Sequence, residues 1–454
     1  MGTWGCPGCR APPPSDRRGR SLAGMRSTHR RIRPALVLAA LCVLGAMPST
    51  SSAGQQLAPG AYVPGEVVVH HEGDHGARVV AVHEGGSVRK AVAELRRDPT
   101  VDYAVPNFIA RAAAFPRDAA SGPNDRGFPL QWNFSGPFGV GAPEAWALAA
   151  RRGAPGGRGT VVAVLDTGVA YRTLGRFRRA PDLGAIVPGY DFVDEDRLPL
   201  DLNGHGTHVT GTIAEATNNR RAATGIAYAA RIMPVRTLDR FGAGDAVTVS
   251  RGIRYAVRHH ADVINMSLEF PAFVGAAQIP QVMSAIRYAH RRGVVMTAVA
   301  GNGARASVLP YPGRARDVIA VAATTEHGCR AEYSNAGAEV DVSAPGGGRD
   351  AAAAANAWDA AHCDPSVDGA SVYQQTFGTD LAHFALPSGY YGTSMATPHV
   401  TGLAALIIAS KRLGRNPTPD AVQRLIERTA RDIGPPGFDT AYGNGLIDAA
   451  AALR

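Results

Sequence analysis

"YYGTSMATPHVTGLAALIIAS" (residues 390–410) sets a serine, Ser394, between a glycine-threonine turn and a long apolar run. The run reads as a buried helix, anchored in a core by its apolar side chains while its first turn displays a hydroxyl. Pro398 is expected to do no harm there, because the first turn of a helix has no intrahelical N–H bonds to lose. A helix of this kind needs a sheet to lie on, and the preceding residues supply one. Short β-branched runs recur at 161–166 (VVAVLD), 231–236 (RIMPVR), 262–267 (DVINMS), 294–300 (VVMTAVA), 318–323 (VIAVAA) and 340–345 (VDVSAP). Helical patterns such as TVSRGIRYAVRHH and IPQVMSAIRYAHRRG lie between them. Apolar strands alternating with helices predict an α/β fold, a parallel sheet with helices on both faces. Functional residues of such sheets gather at the carboxyl ends of the strands.

The chain is 454 residues long, 45% hydrophobic and 19% charged, which is enough apolar material for a sizeable core and more than one domain. Its net charge of +9 comes from a basic leader (Arg26, Arg30, Arg31, Arg33) and scattered arginine pairs. No basic-aromatic interleaving accompanies them, so no nucleic-acid partner is expected. From Met25 the leader has a basic start, an apolar stretch from Ala35 to Met47, and small residues Ser51 and Ala53 before Gly54. That is the layout of a secretory signal peptide, too short in its apolar part to span a membrane comfortably. Residues 1–53 are therefore read as extension and signal, with translation starting at Met1 or Met25, and the product as secreted without a stable membrane span. Cys6, Cys9 and Cys42 fall in this leader. Cys329 and Cys363 remain, an even pair that fits either one disulfide or two free thiols.

Residues 54–115 read as a small α+β unit. A strand at YVPGEVVVHH precedes an amphipathic helix with Val88, Ala91, Val92 and Leu95 on one face, and a second strand follows. Composition loosens from about Ala110 (ARAAAFPRDAASGPNDRG), as in a linker or processing region. Residues 116–454 form the large α/β domain, with an alanine-rich insertion at 351–363 read as a loop or short helix.

Four polar residues sit at the boundaries of the predicted elements. Asp166 ends VVAVLD, His205 opens the helix of NGHGTHVTGTIAEA, Asn302 follows the strand of AVAGNGA, and Ser394 opens the apolar helix. Singly, each has an ordinary explanation as a cap, a turn or a structural histidine. Together they make a chemical set. A serine hydroxyl is a poor nucleophile until a base takes its proton, imidazole titrates in the right range, and a carboxylate fixes the imidazole's tautomer. The Ser394 amide and the Asn302 side chain can both donate to an oxyanion. His208 and His399 are assigned to structure.

The motifs DTGV (166–169), NGHGTHVTGTIA (203–214), AGN (300–302) and GTSMATPHVTGLAAL (392–406) resemble the signature blocks of the subtilisin-like serine proteases, in order and spacing. The similarity runs from about residue 130 to the closing YGNGLIDAAAAL. It implies a serine endopeptidase with Asp166, His205 and Ser394 as triad and Asn302 in the oxyanion hole. It implies polypeptide substrates held as an extra strand between Gly242, Ala243 and Gly244 on one edge and Ser267 and Leu268 on the other, with Gly301 nearby. It also makes residues 54–115 an inhibitor-type propeptide, an intramolecular partner cleaved between Asn107 and Asp125, and the mature enzyme a monomer. One departure stands out: where relatives carry small glycines, this chain has Glu269 and Phe270, which could favour basic side chains, narrow the cleft, or point elsewhere. Structural Ca²⁺ is the implied cofactor. The loop DFVDEDRLPLD gathers Asp191, Asp194, Asp196 and Asp201, oxygen donors of the type calcium prefers, with Asp194, Asp196 and Asp201 as the expected ligands. EATNNRRAATG (215–225) stands where relatives have a calcium loop; its Asn218 and Asn219 fit and its Arg220 and Arg221 do not.

Overall fold

A computed structural model describes residues 62–73, 78–83, 86–108, 122–351 and 357–454. The expectations for the signal peptide, the start codon, residues 109–121 of the cleavage region and residues 352–356 fall outside the described residues. The chain divides into two compact units between residues 110 and 111.

In the first unit, β1 (Tyr62–His71), β2 (Arg78–Ala81) and β3 (Val101–Phe108) form an antiparallel sheet in the order β2-β1-β3. Helix α1 (Val88–Leu95) covers one face: Val88 and Val92 are buried with Val67, Val69 and Ala104. Ser87 caps the helix by accepting from the Lys90 amide. The short β2 was not foreseen.

The second unit begins with α2 (Trp132–Ser135) and α3 (Ala142–Arg151). Its sheet strands are β4 (Val161–Asp166), β5 (Ala185–Ile186), β6 (Tyr190–Asp191), β7 (Arg231–Arg236), β8 (Val263–Met266), β9 (Val295–Val299), β10 (Ile319–Thr324) and β11 (Val342–Pro345). The helices are α4 (His205–Ala214), α5 (Ala246–Arg258), α6 (Pro280–Arg291), α7 (Ala357–His362), α8 (Thr393–Ala409), α9 (Pro419–Thr429) and α10 (Ala449–Leu453), and β12 (Thr376–Asp380) pairs with β13 (His383–Ala385) as a separate hairpin. The sheet is parallel throughout, in the order β11-β10-β9-β8-β4-β7-β5, with β6 also on β7.

Alternation along β4 shows how the sheet is buried on both sides. Val162 and Val164 enter a core shared with α4, α8 and α9, while Ala163 and Leu165 enter the opposite core, built with α5 and α6. Disulfide-bonded Cys329 and Cys363 tie the end of α7 back to the domain.

Pro398 differs from expectation. Helix α8 starts at Thr393, so Pro398 is its sixth residue and does remove an intrahelical bond. The carbonyl thus released, that of Ser394, accepts instead from the Ser267 hydroxyl at 3.0 Å. A side chain from the end of β8 repairs the helix.

Candidate active site

The carboxyl end of β4 delivers Asp166, which is fully buried. Its Oδ1 accepts from the Thr167 amide (2.7 Å) and from Nδ1 of His205 (2.7 Å). That bond needs α4 to come very close, and Gly206 permits it: a Cβ there would lie 2.2 Å from the Gly168 carbonyl and 3.0 Å from Asp166 Oδ1. Asp201 fixes the joint between loop and helix. Its oxygens accept from the Thr167 hydroxyl, the Asn203, Gly204 and Thr207 amides, and the Thr207 hydroxyl, all at 2.6–2.9 Å. Because a carboxylate only accepts, the His205 proton sits on Nδ1 and Nε2 keeps its lone pair. Burial alone would lower the pKa of His205. The Asp166 charge and hydrogen bond, with a smaller contribution from Asp201, outweigh it and hold the pKa above the ordinary value. The ring keeps 26% of its side-chain surface exposed.

Ser394 is the second residue of α8, so its amide is among the unpaired N–H groups of the first turn. Its hydroxyl donates to the Ser267 carbonyl at 3.3 Å in this arrangement, and no hydrogen bond to His205 is formed. Asn302 Oδ1 accepts from the Thr393 amide (2.9 Å) and hydroxyl (2.8 Å), which orients the Asn302 amide and leaves its NH₂ as the free donor. Asn335 braces the same loop, accepting from the Gly303 and Arg305 amides and donating to the Ala300 carbonyl. Thr393 and Asn335 were not singled out from sequence. Thr393 lies within a quoted motif, but Asn335 lies outside all of them.

His205, Asn302 and Ser394 line one cleft of about 530 Å³ together with Gly242, Ala243, Gly244, Ser267, Leu268, Glu269 and Phe270. The 239–244 wall is a tight turn in which Asp239 Oδ1 accepts from the Phe241 and Ala243 amides. Gly301 does not line the cleft. It backs the opposite wall, where a Cβ would strike Glu269 Oε2 and Asn335 Nδ2, each at 2.4 Å. His208 and His399 are buried and neutral, lowered by burial to about 3 and about 4. Each donates a ring N–H to a backbone carbonyl, Val372 and Met395 respectively.

In the 191–201 loop the acids have partners within the fold. Asp191 and Asp194 both bind Arg236, at 2.7 and 2.6 Å, so a guanidinium occupies the position expected for a cation. Asp196 Oδ1 accepts from the Leu198 amide, and Asp201 is saturated by the donors beneath α4. Asp194, Asp196 and Asp201, the expected ligands, thus each have a protein partner: a guanidinium, a backbone amide and the donors beneath α4. Among the described residues only Cys329, Asp350 and Cys363 bring three potential ligand atoms within 4.8 Å, and the two sulfurs are joined in the disulfide.

The 215–225 loop is different. It covers three buried acids, Asp125, Asp182 and Glu215. Asp125 accepts from the Asn218 and Asn219 amides, and Asn219 Nδ2 donates to Asp182 Oδ1 at 2.5 Å. Asp182 Oδ2 and Glu215 Oε1 are buried without hydrogen-bond partners. Burial raises the pKa of Asp182, and burial together with the Asp182 charge pushes Glu215 up to about 8. Arg220 and Arg221 are exposed; Arg221 donates to the Pro181 carbonyl, near enough to Asp182 to oppose part of the burial effect on it. Orphaned buried carboxylate oxygen suits a hard cation.

A nucleophile on a helix start and a base on a strand-end carboxylate, sharing a peptide-sized cleft, mark a serine hydrolase, and comparison gives its class. The chain belongs to the subtilase family, whose model matches residues 157–445, and residues 73–107 match the fervidolysin N-terminal prodomain. It is thus a subtilisin-like serine protease with a prodomain. Among its relatives, the "Thermophilic serine proteinase" of Bacillus sp. (strain AK1) is 34% identical over 407 residues, covering 85% of this chain and 86% of that one. Thermitase from Thermoactinomyces vulgaris is 35% identical over 320 residues, 70% of this chain and 95% of its own. A solved protease structure from Pseudoalteromonas arctica PAMC 21717 superposes with a TM-score of 0.57 at 33% identity, covering 73% of this chain and 99% of that one.

Proposed function

We propose that the protein is a secreted endopeptidase, made as a preproprotein, that cleaves peptide bonds through an acyl-enzyme on Ser394. The observation that carries this reading is the 2.7 Å bond from His205 to buried Asp166 in the cleft that Ser394 and Asn302 also line. In the reacting arrangement the Ser394 hydroxyl turns from the Ser267 carbonyl toward Nε2 of His205, and such contacts are often loose before substrate binds. His205 then takes the hydroxyl proton as oxygen attacks the carbonyl, and Asp166 steadies the imidazolium. The Ser394 amide and Asn302 Nδ2 receive the oxyanion. His205 returns its proton to the leaving amine and serves again as base for the water that releases the acyl group.

In the same reading the leader to residue 53 directs export, residues 54–115 fold with and inhibit the enzyme until cleaved, and residues 116–454 form the monomeric catalytic domain. Secretion fits the leader, and no described helix is long and apolar enough to cross a membrane. Calcium would be held by Asp125, Asp182 and the Asn219 side chain, completed by loop carbonyls, and would neutralise the buried acids; it takes no part in the chemistry. The test is Ser394→Ala, expressed beside wild type. Wild type is expected to mature, to hydrolyse casein, and to take one fluorophosphonate label at Ser394 by mass spectrometry. The variant is expected to do none of these. A variant that matured unaided and turned over casein would overturn the assignment.

A further inference from the structure

We propose that Glu269 makes this cleft selective for a lysine or arginine side chain on the acyl side of the scissile bond. The inference rests on the hydrolytic reading above and adds a substrate class to it.

Position comes first. Glu269 follows the Ser267–Leu268 edge, and its carboxylate reaches across to the facing wall, where Oε2 lies against Gly301 and the Asn302 backbone amide favours its charged form. Asn302 is also the side-chain donor for the oxyanion. A carbonyl held between that donor and the Ser394 amide has its own Cα one bond away. The side chain on that Cα therefore enters the space between residues 267–269 and 300–302, where this carboxylate stands.

Charge comes second. Of the residues lining the cleft, Glu269 is the one carboxylate, and none is lysine or arginine. Among the described residues it forms no ion pair; Arg305 on the 300–305 loop acts on it only at longer range. Leu238, Leu268, Val299 and Phe270 line the same cleft and can cover the methylene stem of a long side chain. Although the residue is open to the cleft, enough protein surrounds its carboxyl that burial raises the pKa, partly opposed by the Asn302 amide and Arg305. A cation docking there would relieve that cost, whereas an apolar side chain would deepen it.

The chain contains a substrate of this class. Between Asn107 and Asp125 the basic residues are Arg111 and Arg117, so self-cleavage by such an enzyme would leave a mature chain starting at Ala112 or Asp118.

The test uses mature protein and peptides identical except at the acyl-side residue: lysine, arginine, norleucine, leucine, phenylalanine or glutamate. Norleucine matches the lysine stem without its charge. Wild type is expected to favour lysine and arginine over norleucine by about tenfold or more in kcat/KM, the scale of one charge-assisted hydrogen bond. Glu269→Gln retains an oxygen for the Asn302 amide, and there the ratio is expected to fall to within about threefold. Equal or better cleavage after norleucine by wild type, or an unchanged ratio in the variant, overturns the proposal, as does a mature chain that starts after an apolar residue. Fluorophosphonate labelling separates the two layers. Labelled enzyme without basic preference removes only the specificity. Unlabelled enzyme that cleaves no peptide removes the hydrolytic reading, and this one with it.

Discussion

Strands β4 and β7 lie side by side and end level, Asp166 opposite Arg236 in the register, yet the two tips do different work. At the tip of β7, Arg236 is buried with Asp191 and also binds the more exposed Asp194, so the buried carboxylate has a fixed cation. At the tip of β4, Asp166 meets one amide and one imidazole, and its second oxygen is buried without a partner. A carboxylate answered by a fixed guanidinium is inert. One answered only by a titratable ring can respond when that ring gains a proton. Acid density therefore says little about function. What matters is which charge lacks a permanent partner.

The sharpest way to break this comparison is Asp166→Asn, which keeps the shape and removes the charge. Turnover of a peptide substrate is expected to fall on the order of ten-thousand-fold, with far-ultraviolet circular dichroism unchanged. A loss under tenfold would make the two strand tips equivalent. Arg236→Met should do the reverse, stranding Asp191 in the interior. In a Ser394→Ala background, which prevents self-digestion, urea unfolding is expected to show a loss of about 3–5 kcal/mol. Introduced alone, the same change should lower kcat/KM of the folded enzyme less than tenfold. The smallest expected effect sharpens the contrast between the two acid-rich loops. Calcium should raise the unfolding free energy of the Ser394→Ala protein, by about 2.7 kcal/mol at a hundred times its dissociation constant. Asp182→Asn should abolish that gain and Asp194→Asn should keep it. The opposite pattern would place the metal in the 191–201 loop.

The fold was legible because burial on both faces leaves uninterrupted β-branched runs that need no partner to be recognised. Asp166, His205, Asn302 and Ser394 were legible for a related reason: each is a reactive residue at an element boundary, framed by glycines that allow close approach. The charge partners were not. Arg236 ends a strand like many arginines, and nothing local says that two aspartates forty residues upstream will surround it. Asp125 and Asp182 are single acids far apart in sequence, joined only when the 215–225 loop closes over both. The dense run Asp191–Asp201 stands out because sequence displays acids and hides the guanidinium that folding places beside Asp191 and Asp194. Strand β2 and the β12–β13 hairpin escaped because short exposed strands carry little hydrophobic pattern.

The bonds between Ser267 and Ser394 have a mechanical consequence. The first is proposed to grip the peptide and the second to attack it; when the Ser394 hydroxyl turns to His205 it releases the Ser267 carbonyl, while the Ser267 hydroxyl keeps its hold on the Ser394 carbonyl. The gripping edge and the reactive turn are thus clamped into one body, supported where Pro398 has cut a rung from the helix ladder. A peptide lying one residue out of step presses on that body as a whole, so alignment and attack succeed or fail together.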